Sequence, residues 1–72
     1  MDNAEVSGMC ALARNALAAS PVYAMRQLHV EQVGDSVILT GRVPSFYQKQ
    51  MAQEIVRHAI EQCELVNSID VD

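Results

Sequence analysis

From Leu28 to Val43 apolar residues alternate with polar ones along most of the run, and the alternation is interrupted once, at Gly34-Asp35. No other stretch restricts the fold as much. A two-residue period belongs to a β-strand, and two such runs joined by Gly-Asp read as a hairpin with a two-residue turn. The turn fixes the partners. Val33 falls opposite Ser36, and counting outward pairs Gln32 with Val37, Glu31 with Ile38, Val30 with Leu39, His29 with Thr40 and Leu28 with Gly41. Leu28, Val30, Val37 and Leu39 then share one face. A slip of one residue would scatter them, so turn and pattern agree. The hairpin spans about residues 26–43, and its second face, with His29, Glu31, Ile38, Thr40 and Arg42, is mostly polar.

Around the hairpin the period changes to that of helices. In residues 4–19, Val6, Met9, Cys10, Ala13 and Leu17 recur at steps of three and four, with Arg14 and Asn15 on the opposite side. Ser20-Pro21 ends this helix, because proline disfavours helical geometry in the residue before it. Residues 22–25 read as a connection of no set shape. A second helix, about residues 45–62, begins at Pro44-Ser45. Ser45 followed by Gln48 fits a capping box, in which hydroxyl and amide each accept a backbone N–H. Ala52, Ile55, Val56, Ala59 and Cys63 form its buried stripe, with Ile60 at the edge.

Residues 65–71 alternate again, with Leu65, Asn67, Ile69 and Val71 on one face. Strand, helix, strand implies a right-handed crossover and a last strand parallel to the second hairpin strand. The fold class is therefore α+β, in the order αββαβ. Its expected form is a two-layer sandwich with a three-stranded mixed sheet and both helices on one face. Strand order stays open. Seventy-two residues make one domain with a thin core. One Phe, two Tyr and no Trp leave that core to Val, Ile, Leu and Met.

Charge narrows the function classes. The formal net charge is −4, and Arg14, Arg26, Arg42, Lys49 and Arg57 are scattered along the chain. Nucleic-acid binders carry a basic stripe, and anionic membranes attract clustered Lys and Arg, so neither partner is favoured by charge. His29, His58, Cys10 and Cys63 match no zinc spacing. His58 and Cys63 are five apart, about 140° around a helix, and do not share a face. No metal or cofactor is expected. No nucleophile stands with a base, so no catalytic residue is assigned. Cys10 and Cys63 read as two buried thiols, one disulfide being the alternative. The first ten residues hold two acids and no base, unlike a leader peptide. The expectation is a soluble chain, cytoplasmic if complete and periplasmic if cut from an exported protein.

The run Val33-Gly34-Asp35-Ser36-Val37-Ile38-Leu39-Thr40-Gly41-Arg42-Val43-Pro44-Ser45 resembles the central signature of the BON domain family. Ala52, Val66-Asn67 and the alternating Ile69 and Val71 also fit its pattern. The chain departs from it at Glu61-Gln62-Cys63-Glu64, where the family carries Gly-Val, so no role of that glycine carries over. The resemblance implies a non-catalytic domain of bacterial proteins that binds phospholipid or acts as an interaction module.

Two surfaces are candidates for binding. One is the open sheet face with His29, Glu31, Ile38, Thr40 and Arg42. The other is the rim from Pro44 to Tyr47 with Tyr23 and Met25. Phe46 is either an exposed anchor or the edge of the core, and Tyr47 is expected partly exposed with its hydroxyl wet. Gly41 in mid-strand implies a bulge or close packing by a helix side chain. The expected partner is a protein or a second copy of the chain, with a membrane lipid as the alternative.

Overall fold

The computed structural model describes residues 3–60 and 63–72, with the backbone alone for residues 3–7. The side chain of Val6, and Glu61 and Gln62 where the second long helix was expected to end, lie outside the described residues. The order is α1 (Asn3–Ala18), α2 (Tyr23–Arg26), β1 (His29–Val33), β2 (Ser36–Thr40), β3 (Arg42–Val43), α3 (Phe46–Ala59), β4 (Glu64–Asn67) and β5 (Asp70–Val71). The fold is α+β, and α1 and α3 pack on each other and on one side of a mixed sheet.

The hairpin register is the one the turn dictates, from Val33↔Ser36 to His29↔Thr40. Gly34 sits at φ 59 in the left-handed region that glycine adopts without strain. The strand order is β1-β2-β4, with β2 and β4 parallel. Both expected long strands are broken. The second hairpin strand interrupts at Gly41 and the last strand at Ser68-Ile69. The breaks lie at the same level. Ser36↔Glu64 and Arg42↔Asp70 have equal spacing, so the parallel ladder gains and loses no residue across them. Ser68, Asp70 and Asp72 donate their N–H groups to the carbonyls of Leu39, Gly41 and Val43, each at 2.9 Å.

The neighbour of Gly41 is Leu28, not a helix side chain. A Cβ on Gly41 would stand 2.8 Å from Leu28 Cδ2, and φ is +131 there. The paired register ends at His29↔Thr40, and Leu28 lies against Gly41 one step beyond it, where the missing side chain makes room for the leucine.

The core is aliphatic. Cys10, Ala13 and Leu17 of α1 meet Ala52 and Val56 of α3, and Val30, Val37, Leu39, Val43 and Ile69 lie beneath. Residues 22–25 are not shapeless. They open one helical turn, α2, which places Met25 fully in the core. α1 is closed by the Ala19 and Ser20 N–H groups, which donate to the carbonyls of Asn15 and Leu17, and Ser20 Oγ then accepts the Val22 N–H at 3.1 Å. α3 starts as expected, with Ser45 Oγ accepting the Gln48 N–H at 3.2 Å. The reciprocal half of the capping box is absent, since Gln48 Oε1 is buried without a hydrogen-bond partner. α3 ends at Ala59, before the expected boundary. Ile60 is already extended, at φ −126 and ψ 150, and its side chain is buried.

Candidate functional site

The two candidate surfaces lie on opposite layers. On the sheet face, β1 and β2 set His29 beside Thr40 and Glu31 beside Ile38, and the parallel register adds Val66 beside Ile38. His29 and Glu31 are exposed, while Ile38, Thr40 and Val66 are half-buried. Ser36 donates to Glu64 Oε2 at 3.1 Å on the row nearest the turn. Arg42 lies beyond the break at Gly41, where it pairs in register with Asp70 and forms an exposed ion pair with Asp72 at 3.3 Å. The face is therefore a polar surface with a narrow apolar strip, Ile38 and Val66, across its middle.

The second surface is built by helices. α2 packs against α3, and α3 opens with Phe46 and Tyr47. Tyr23 is 67% exposed, Phe46 62% and Tyr47 72%. These are all the aromatic residues of the chain. The alternative left open for Phe46 is thereby decided, as it does not fold under the core. Met25 leaves the expected rim, because it is fully buried. Arg26 holds its guanidinium 5.5 Å from the centroid of the Tyr23 ring, which restrains the ring and keeps a positive charge beside it.

Two residues that the sequence pattern did not single out shape what the sheet can bind. Arg14, exposed on α1, donates from Nη2 to the Val30 carbonyl at 3.0 Å. In the hairpin register Val33, Glu31 and His29 bond to β2, so Val30 turns its carbonyl to the open edge of β1. Asn67 guards the opposite edge. Its Oδ1 accepts the Ile69 N–H at 3.2 Å, and its Nδ2 donates to Lys49 O at 3.0 Å and Gln53 Oε1 at 3.3 Å. The signal for Asn67 was present, since a polar residue on a core-facing strand position must find partners. Arg14 gave none, because its acceptor is sixteen residues away.

Among the described residues no group of three or more His, Cys, Asp or Glu is placed to hold a metal ion. No described helix is long and apolar enough to cross a membrane. Cys10 and Cys63 are free thiols, the first buried and the second half-buried. Burial, and then the charge of Cys10, push the Cys63 thiol above its ordinary value of 9.0, and its sulfur donates to the Glu64 carbonyl at 3.7 Å. Compared with known proteins, the chain matches no family model, no curated protein and no solved structure.

Proposed function

We propose that the domain is a non-catalytic binding module that docks a protein, or a second copy of itself, through the aromatic end formed by α2 and the start of α3. The observation that carries this reading is the exposure of Tyr23, Phe46 and Tyr47. Aromatic side chains are enriched at protein interfaces because they bury a large area and lose little conformational freedom. A core short of bulky side chains would gain from an inward Phe, yet this chain keeps all three outside. The guarded sheet edges point the same way. Strand addition needs a free row of backbone groups, and Arg14 and Asn67 occupy part of each row.

The alternative is a phospholipid surface. It is supported by the BON resemblance and by aromatic rings beside Arg26, an arrangement suited to a headgroup layer. The net charge of −4 opposes it on anionic membranes.

Sedimentation equilibrium over a range of concentrations tests the self-association version, with the double variant Phe46→Ser/Tyr47→Ser as the comparison. Association that the variant loses supports the reading, and a strict monomer at the highest concentration removes it. Co-sedimentation with neutral and with anionic vesicles tests the alternative. Protein left wholly in the supernatant with both rejects the lipid surface.

A further inference from the structure

The helices cover one side of the sheet and leave the other bare. The register fixes what the bare side carries. Ser36 stands opposite Val33 across the hairpin and opposite Glu64 across the parallel ladder, and Ile38 stands opposite Glu31 and Val66. Val33, 60% exposed, therefore lies diagonal to Ile38, with Val66 on the far side, and the three make one apolar line over all three strands. Glu31 and Glu64 flank that line, and both are exposed. β1, β2 and β4 hold no Lys or Arg. Arg14 reaches the β1 edge from α1, on the covered side, and Arg42 beyond the break is paired with Asp72. The aromatic end has the opposite charge. Neither residues 19–30 nor residues 36–53 contain an acid. α2 holds Arg26 beside the Tyr23 ring, and α3 carries Lys49 in its first turn. Asp72, whose N–H reaches the Val43 carbonyl near the start of α3, is held by Arg42.

We infer that the bare sheet face is the docking site for the aromatic end of a second copy of this chain, so that copies join head to tail. This rests on the reading of the aromatic end as a self-docking surface and names the surface that receives it. The rings of α2 and α3 lie on the apolar line, and Arg26 and Lys49 meet the rim of Glu31 and Glu64. Opposite charges favour this contact over the pairing of two aromatic ends, which would set like charges together. The two surfaces belong to opposite layers, so a copy engaged through its aromatic end still offers its sheet face. A contact between two different surfaces is heterologous, and it extends into a chain or closes into a ring of several copies instead of stopping at two. Three short strands make a small docking face, so each contact is weak and growth depends on concentration.

The test is sedimentation equilibrium of the wild type and two double variants, each altered only at exposed positions. Glu31→Arg/Val33→Arg spoils the sheet face and leaves the aromatic end intact, and Phe46→Ser/Tyr47→Ser does the reverse. The wild-type mass is expected to rise with concentration past that of two copies. Each variant alone is expected to stay a monomer, and their equimolar mixture to form a two-copy species that grows no further. A sheet variant that associates like the wild type overturns the inference and leaves the aromatic end pairing with itself. A wild-type mass that levels at two copies overturns it too, as does a mixture that stays monomeric while both variants keep the wild-type urea midpoint. Raised sodium chloride supplies an arm that needs no variant. It is expected to weaken wild-type association by screening the two rims, and association that salt leaves unchanged overturns the inference. A wild type that stays monomeric throughout removes self-association as a whole, and this inference with it.

Discussion

Gly34 and Gly41 have positive φ for different reasons, and substitution separates them. At Gly41 an added Cβ meets Leu28 at 2.8 Å and the backbone is at φ +131, so clash and strain act together. Gly41→Ala is expected to destabilise by about 2–4 kcal/mol, the sum of a disfavoured backbone and a displaced core leucine. At Gly34 nothing stands within 4 Å. Gly34→Asn keeps a residue that tolerates the left-handed region and is expected to change stability by less than about 1 kcal/mol. Urea unfolding of both variants against wild type reads the contrast, and equal losses would mean that Leu28 does not press on the glycine. Leu28 opposite Gly41 was legible in the sequence, because the turn sets the count. The break in the strand was signalled only by Gly41 itself, read as a bulge or a close approach, because a period-2 pattern passes through a kink unchanged. Phe46 was undecidable for a related reason. Neighbouring positions at a helix start fall on different sides, and periodicity does not say which side the core takes.

Among the elements, α3 is held at its start by one half of a capping box. Ser45→Ala removes the hydroxyl that accepts the Gln48 N–H and is expected to cost about 0.5–2 kcal/mol. Gln48→Met removes a buried oxygen that has no partner and keeps a side chain of similar length. It is expected to be neutral or to raise stability by up to about 1 kcal/mol, since an unpaired buried acceptor costs its full desolvation. Thermal unfolding distinguishes the two, and a large loss in Gln48→Met would show that the amide has work beyond the cap. The capping motif itself was readable from residue types at fixed spacing. Its incomplete form was not, because the path of the Gln48 side chain is set by what packs around it. α2 escaped the sequence for the same cause. Nothing in Val22 to Met25 signals a helix, and the turn forms because it delivers Met25 into the core. Propensity is a weak prior that such burial overrides.

At the scale of the molecule, the domain measures 35 × 20 × 15 Å and its core is one layer of aliphatic side chains between helices and sheet. So thin a core makes single ionisations visible in stability. The Cys63 thiol is held protonated by burial in the folded state, above its ordinary value of 9.0. Below that value both folded and unfolded chains keep the proton, and the thiol's contribution is fully present. Above it the unfolded chain releases the proton first, so the folded state binds more protons and stability falls as pH rises through the folded value. The urea midpoint is expected to decline from near pH 9.0, and less steeply in Cys63→Ala; identical slopes would remove Cys63 as the cause. The architecture was largely legible, because hairpin, two amphipathic helices and a closing strand leave few ways to bury three apolar stripes. The edge contacts of Arg14 and Asn67 were not, since they join elements distant in the chain. They also bear on how such a domain can be used. Copies strung along one polypeptide meet at high effective concentration, where bare strand edges exchange between neighbours. With a guanidinium on one rim and an amide on the other, each copy in such a string can close on itself, and the unit lends itself to repetition.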